Sequence, residues 1–332
     1  MKKFFPFLFK LIFILFFILL SLWSFGAIWY SNLPEKWMRV TSAFLLPVLL
    51  LCLIISLRKR KKIRFAAISL VFIAIITWWS LIPASNNQDW LTQFSEMPRA
   101  VINGNNVSIE NIRNFEYKTA GSFIPHYING IYKLDELKNL DMAVSYWDGN
   151  TAIAHTMLSF GFSDGRHLVF SCETRMKKNQ VQSGIPGLFK QYNILYIIGT
   201  EDDLFKLRTN YRKEELYLYP TNSTPEECVK IFLSLLNRCD ELFLKPEFYN
   251  TLTFNCTTSL IPSIRQVTAR HCDIRFCLNG YSDRMAWEFG WLKHMPGESF
   301  PDYKKKHFVN QYVDLEDTGL DYSQAIRSAW AE

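Results

Sequence analysis

The residue of this sequence best suited to covalent chemistry is Cys256, in the run Asn255-Cys256-Thr257-Thr258. Asn and Thr are favoured where a helix begins, so we expect Cys256 to open a short helix that Pro262 later interrupts. The positive end of the helix dipole stabilises a thiolate and lowers the pKa of the thiol. Cys256 is therefore the candidate nucleophile.

A cysteine nucleophile needs a base, and His155 lies inside a strand of the predicted core sheet. Imidazole changes charge near neutral pH and can take up a thiol proton. The alternative interpretation is that His155 is a packed structural residue. The other histidines fall at strand ends or in polar stretches without metal-ligand spacing: His126, His167, His271, His294 and His307. We therefore predict neither a metal nor a cofactor.

A third element of the candidate site comes from the dipeptide Asp164-Gly165, a strong hairpin signal between two predicted strands. A two-residue turn places His155 opposite Thr174, whereas a one-residue bulge places it opposite Glu173. Either register leaves three polar residues near the imidazole: Ser171, Glu173 and Arg175. A carboxylate on the second ring nitrogen would fix the histidine tautomer. The alternative is that Glu173 and Arg175 form ordinary ion pairs with Arg208 or Glu201.

Strands precede helices in the part of the chain that carries these residues. The β-branched and aromatic runs that predict strands are 142–147, 151–162, 167–175, 193–199 and 215–219. After Pro220 the period becomes helical, and Thr224-Pro225-Glu226-Glu227 supplies an N-cap, a first-turn proline and a capping-box glutamate. We expect this helix to end near Phe243. The order predicts an α+β domain.

Three long apolar stretches precede this domain, at about residues 11–30, 40–56 and 65–83. Each is about long enough to cross a hydrocarbon core roughly 30 Å thick. Basic residues before the first stretch and in the run 58–64 predict a cytoplasmic N-terminus and an outer, periplasmic C-terminal domain in a bacterial inner membrane. We therefore predict a membrane domain over 1–83, a tether over 84–100 and a catalytic domain over 101–332.

Charge and cysteine content narrow the function further. The formal net charge of +6 resides in the N-terminal segments, and the outer domain is mildly acidic, so a nucleic-acid partner is excluded. Of the seven cysteines, Cys228 and Cys239 share a helix face about 16 Å apart and cannot pair. Cys272 and Cys277 could form a disulfide, although free buried thiols are an equal alternative.

Several of these blocks together resemble the bacterial family called Lnb N-terminal periplasmic domain. The resemblance spans about Asp89 to Arg327 and rests on Ile153–Gly165, Ser171–Arg175, Arg208–Arg212, Tyr249-Asn250 with Asn255–Thr258, and Gly280–Arg284. The family is similar to the circularly permuted branch of the NlpC/P60 papain-like superfamily, in which a strand histidine precedes a helix cysteine. The chain departs from the family in Cys172, where an aliphatic residue is expected, and in having its apolar stretches before the domain.

The resemblance implies a lipoprotein N-acyltransferase-like activity, in which Cys256 takes an acyl chain from membrane phospholipid as a thioester and passes it to an amine such as a lipoprotein N-terminus. His155 would move the proton and Glu173 would orient it. The backbone N–H of Cys256 with Asn255 or Tyr249 would bind the oxyanion, and the supporting residues would be Asn250, Ser171 and Arg175. The alternatives are a cysteine amidase or peptidase acting on peptidoglycan peptides, and a non-catalytic membrane-anchored binding module.

Overall fold

A computed structural model describes residues 4–147, 149–268, 273, 275, 279–313 and 320–328. The predicted Cys272–Cys277 pair lies outside the described residues. The chain divides into two compact units. One unit contains residues 1–85 together with 182–192, and the other contains the remaining residues, 86–181 and 193–332.

The first unit is built on three apolar helices, α1 (Phe4–Trp29), α2 (Lys36–Ser56) and α3 (Lys61–Ser80). All three are long and apolar enough to cross a membrane, the first from Leu8. The predicted apolar stretches thus form helices, although α2 and α3 each begin about one turn earlier than expected. The chain is membrane-anchored by these helices.

A short segment far along the chain, Gln182–Tyr192, belongs to the same unit as these helices. The Lys190 ammonium donates to the carbonyls of Trp79, Ser80 and Ile82 at 2.8, 3.1 and 3.2 Å, where α3 ends. Phe189 stacks on Tyr30 with ring centroids 5.5 Å apart. A cation near the last carbonyls of a helix complements the negative end of its dipole. No pattern in the sequence predicts that residues 182–192 belong with the membrane helices.

The second unit is organised around a mixed sheet. Within the described residues, eight strands form this sheet: β1 (Arg99–Asn103), β2 (Asn106–Arg113), β5 (Tyr127–Lys133), β6 (Leu137–Tyr146), β7 (Ala154–Phe162), β8 (His167–Arg175), β9 (Asn193–Gly199) and β10 (Glu215–Pro220). Their order across the sheet is β1-β2-β9-β8-β7-β6-β10, with β5 also paired to β2. A separate hairpin joins β3 (Glu116–Thr119) to β4 (Ser122–Ile124).

Helices pack around this sheet, which makes the unit α+β as predicted. Their order is α4 (Glu201–Lys206), α5 (Pro225–Leu244), α6 (Cys256–Ile264), α7 (Ser282–Glu288), α8 (Phe300–Lys306) and α9 (Tyr322–Ala325). The capping box at Thr224 is present, so α5 begins where its sequence signal predicts. Cys228 and Cys239 are both free thiols buried along α5.

The residues predicted as a tether, 84–100, are largely part of the folded domain. Trp90, Phe94 and Met97 are buried, and β1 begins at Arg99. The Arg175 guanidinium at the end of β8 lies over the Trp90 ring and donates to the carbonyls of Phe94 and Ser95 at 2.9 and 2.8 Å. Buried aromatic side chains and the Arg175 guanidinium therefore fix most of the predicted tether, from Asn86 onward, to the second unit.

Candidate active site

The sheet opens at the end where the candidate residues lie. Pairing between β7 and β8 stops at Met157 and Ser171, whereas both strands stay paired to their outer neighbours beyond that point. The two strands therefore diverge towards His155 and Glu173. The first turn of α6 contacts this end, because the Thr257 hydroxyl lies 2.9 Å from that of Thr156 on β7.

The α6 helix begins at Cys256 because Asn255 caps it. The Asn255 side-chain oxygen accepts from the N–H groups of Thr257 and Thr258 at 3.1 and 2.9 Å, and Thr258 completes a capping box. The sequence predicted this helix start, but Pro262 does not interrupt α6, which continues to Ile264. Both ends of the Asn255 amide thus serve this helix start, because the oxygen caps the helix and one N–H of the nitrogen donates to the carbonyl of Thr251 at 3.2 Å. The amide nitrogen has a second N–H, so the predicted oxyanion role of Asn255 stays a prediction.

Asn250 shapes the turn that leads into the cap. Its side-chain oxygen accepts from the N–H groups of Leu252 and Thr253 at 3.0 and 3.1 Å, and its backbone pairs with Phe254 in both directions. This pattern is an Asx turn closing a small hairpin. The predicted supporting role of Asn250 is therefore to shape the approach of the chain to Cys256.

His155 and Glu173 meet because of the turn between β7 and β8. Phe162 pairs with Arg166 across a three-residue loop in which Gly165 has a φ of 86°, a conformation that favours glycine. The ladder that follows from this turn runs from Gly161–His167 to Met157–Ser171. Continued by two residues, the same register brings His155 opposite Glu173, so the bulged alternative is the one adopted.

One ring nitrogen of His155 faces two acceptors on β8. Its Nε2 lies 2.7 Å from the Ser171 hydroxyl and 3.2 Å from the Glu173 carboxylate, and Ser171 donates to Glu173 at 2.7 Å. With Nε2 occupied in this way, Nδ1 is the ring nitrogen left to interact with Cys256, whose thiol lies 3.7 Å from the Ala154 carbonyl next to His155 on β7. The charges of the two side chains favour each other. The structure thus brings together Cys256, His155, Glu173 and Ser171.

The charges of these groups favour an ion pair. Burial opposes charge on His155, but Glu173 and Cys256 outweigh it and raise the pKa of His155 to about 9. Burial likewise raises the pKa of Cys256, yet the facing imidazolium and an N–H from Thr156 bring it below the ordinary thiol value. Glu173 is buried too, and His155 with Arg208 holds the pKa of its carboxyl well below the usual range. The three shifts therefore favour the charged form of each group, a thiolate, an imidazolium and a carboxylate.

Glu173 also pairs with Arg208, as the structural alternative predicted. The Arg208 guanidinium lies 3.2 Å from the Glu173 carboxylate and 3.8 Å from Glu214, and it is almost fully buried. The Glu201 carboxylate instead pairs with Arg327 at 2.6 Å. Glu173 therefore contacts His155 and Arg208 at the same time, so its predicted role in orienting His155 and its predicted structural ion pair are compatible.

A donor that the sequence did not single out points at the nucleophile. The side-chain nitrogen of Asn279 lies 2.9 Å from the Cys256 sulfur. Tyr249 is near enough that burial first and the Cys256 charge second raise the pKa of its phenol, which keeps the hydroxyl protonated and able to donate. Asn279 directly precedes the Gly280–Arg284 block, and this adjacency was the available signal.

The Gly280–Arg284 block holds Asn279 in place. A side chain at Gly280 would put its Cβ 2.0 Å from the Thr151 carbonyl oxygen, so only glycine fits against the loop before β7. The Gly280 carbonyl accepts from the Tyr146 hydroxyl at 2.8 Å, and that hydroxyl also contacts the buried carboxylate of Asp283 at 2.9 Å. This block is thus structural support for the site.

Arg175 is not part of the cluster. Strand alternation puts it on the same face as Glu173, but its guanidinium is engaged by the carbonyls of Phe94 and Ser95 and by the side chain of Asn86. The prediction that it lies near the imidazole is corrected for this reason. Among the residues that the structure describes, no group of three or more His, Cys, Asp or Glu side chains is placed to hold a metal ion.

Residues 124–277 match the family model described as the Lnb N-terminal periplasmic domain, as the resemblance predicted. The matched segment contains Cys256, His155 and Glu173 and ends just before Asn279. The segment is similar to this family over slightly less than half of the chain. No curated protein and no solved structure matches the chain.

Proposed function

We propose that the chain is a thiol acyltransferase that moves an acyl chain from membrane phospholipid, through a thioester on Cys256, to an amine acceptor such as a lipoprotein N-terminus. The observation that carries the proposal is the buried Cys256–His155 pair, whose pKa shifts favour thiolate and imidazolium together. A preformed thiolate attacks an ester without a prior proton transfer.

In the first half-reaction the Cys256 thiolate attacks the carbonyl carbon of the phospholipid ester. The oxyanion that forms is stabilised by the backbone N–H of Cys256, which has no intrahelical partner in the first turn of α6, and by Asn279 or Tyr249. The ester C–O bond then breaks, and the His155 imidazolium gives its proton to the departing lysophospholipid oxygen. Cys256 is left as a thioester and His155 is neutral.

In the second half-reaction an unprotonated amine attacks the thioester carbonyl. Neutral His155 takes the proton from the attacking nitrogen, the C–S bond breaks, and Cys256 leaves as a thiolate. The product is an amide, and the ion pair is restored. Throughout the cycle Glu173 accepts from His155 and keeps Nδ1 directed at the sulfur.

A lipid donor is supported by the anchoring of the chain. An enzyme that draws on phospholipid must work at the bilayer, and this chain has three helices of spanning length. Asn86, which follows the last of these helices, accepts a hydrogen bond from Arg175 at 2.9 Å. Arg175 ends β8, two residues after Glu173. We place the domain on the periplasmic side of a bacterial inner membrane with the N-terminus cytoplasmic.

The proposal is tested by the intact mass of the full chain after incubation with phospholipid vesicles. The wild type is expected to gain the mass of one acyl group, and Cys256→Ser to gain none. Cys239→Ala is the matched control, since it removes another buried cysteine and should keep the adduct. His155→Ala is expected to lower the rate of adduct formation by about a hundredfold or more. Cleavage of a peptidoglycan muropeptide without any acyl adduct would instead identify a cysteine amidase or peptidase.

A further inference from the structure

The segment between α5 and α6 exposes large apolar side chains. Phe243 and Leu244 at the end of α5 are 42% and 79% exposed, and Leu252 and Phe254 before Cys256 are 55% and 50% exposed. Single exposed apolar residues are ordinary, but four within twelve positions mark a surface that meets something apolar. We call residues 243–254 the α5–α6 segment.

The exposed side chains near Cys256 are held outward by a rigid turn. Asn250 and Phe254 exchange backbone hydrogen bonds at 3.0 and 3.3 Å, and the Asn250 side chain fixes the N–H groups of Leu252 and Thr253. The sequence contains no charged residue between Glu247 and Arg265. An uncharged hairpin with Leu and Phe on its surface has the chemistry of a lipid-interface element, where charged groups are costly.

The α5–α6 segment also adjoins the places where the chain leaves the domain for the membrane helices. Asn86, six residues after α3 ends, donates to the carbonyls of Leu242 and Phe243 at 3.0 and 2.9 Å. Asn193 directly follows the segment 182–192 that packs with those helices, and it pairs with Phe248. Two separate connections to the membrane helices thus touch this one part of the domain.

We propose that the α5–α6 segment contacts the bilayer that the chain's own helices span, with Leu252 and Phe254 entering the lipid interface beside Cys256. The membrane contact itself rests on exposure, composition and connectivity. Its role, which is to let a phospholipid ester reach the thiolate without crossing water, rests on the proposed function. Exposed Lys245 lies between the two apolar pairs, where an ammonium can meet lipid phosphate.

The contact is tested with the full chain in phospholipid vesicles, carrying the photo-crosslinker p-benzoylphenylalanine at Leu252 or at Phe254. Ile131 is the matched control, because it is 61% exposed on β5 and its carbonyl binds Arg166 at the turn end of β7 and β8, far from His155. Illumination is expected to give lipid adducts at positions 252 and 254 at least about five times as often as at 131, since only these enter the apolar interface. Equal yields at all three positions, or crosslinks between two copies of the chain, would overturn the inference.

A second measurement separates this inference from the proposed function. With Leu252→Ser and Phe254→Ser combined, thioester formation from vesicle phospholipid is expected to fall about tenfold relative to formation from a soluble short-chain thioester. Lipid adducts in a wild type that forms no thioester would leave the membrane contact standing and remove the acyltransferase. If thioester formation is unaffected by the double substitution and no lipid adducts form, the acyltransferase stands and the membrane contact is wrong.

Discussion

Replacement of Glu173 by Gln tests how the charge on His155 is set. Glutamine keeps the size and one acceptor of the side chain but removes the negative charge that lies 3.2 Å from Nε2. The neighbouring Arg208 then stays buried without this carboxylate, which further disfavours an imidazolium. The pKa of His155, about 9 in the wild type, is therefore expected to fall.

The size of the fall follows from the geometry. Opposite charges 3.2 Å apart interact by about 5 kcal/mol at an effective dielectric constant of about 20, which is about four pKa units. This is an upper limit, because Arg208 lies at the same 3.2 Å from Glu173 and offsets part of its charge. We expect a decrease of about one to three units, the range typical of a nearby opposite charge.

The assay is ¹⁵N NMR of the full chain labelled at its six histidines, titrated with pH and assigned with His155→Gln. In the wild type the charged imidazole of His155 persists below pH of about 9 and is lost as the pH rises through that value. In Glu173→Gln this loss moves to lower pH, while in Glu241→Gln, which removes an exposed carboxylate paired with Arg238, it does not move. A midpoint within about half a unit of wild type in Glu173→Gln would refute the reasoning.

Two further predictions concern the support of the site. Asn279→Ala is expected to lower the rate of thioester formation about a hundredfold, as for the loss of an oxyanion donor, while the alkylation of Cys256 by iodoacetamide stays nearly unchanged. If only Tyr249→Phe shows such a loss, the oxyanion donor is the phenol of Tyr249 and not Asn279. Gly280→Ala is expected to destabilise the domain by about 1–3 kcal/mol, measured by thermal unfolding, because its methyl group would overlap the Thr151 carbonyl; an unchanged unfolding temperature would contradict the close packing.

Local signals in the sequence predicted the elements that carry the site. A capping box set the start of α5, an Asn-Cys-Thr-Thr run set the start of α6, and an Asp-Gly dipeptide set the β7–β8 hairpin. Each of these signals involves residues within a few positions of one another, so it can be recognised from one sequence. The same dipeptide allows two strand registers across the hairpin, because the two differ by a single additional loop residue, here at Gly165.

What the sequence could not predict depends on contacts between distant residues. The Asn279 side chain contacts the Cys256 sulfur, 23 positions earlier in the sequence. The Lys190 ammonium binds a carbonyl at the end of α3, more than a hundred positions earlier. Arg175 was predicted near His155 from strand alternation alone, but carbonyls some eighty positions earlier compete for its guanidinium. The strands β1, β2 and β5 were likewise not predicted, because they complete a sheet whose core lies elsewhere in the chain, and the separate β3–β4 hairpin was not predicted either.

The charges around Cys256 alternate in sign from the sulfur outward. Thiolate is followed by the His155 imidazolium, the Glu173 carboxylate, the Arg208 guanidinium and then Glu214, which Arg212 meets at 3.5 Å where the surface begins. A buried carboxylate alone would raise the pKa of the thiol it helps to activate, and Glu173 does have that effect on Cys256. Because Arg208 offsets Glu173, the carboxylate can hold His155 charged with less repulsion of the thiolate. The ion pair that we assign to catalysis therefore depends on Arg208 as well as on the residues that touch the sulfur.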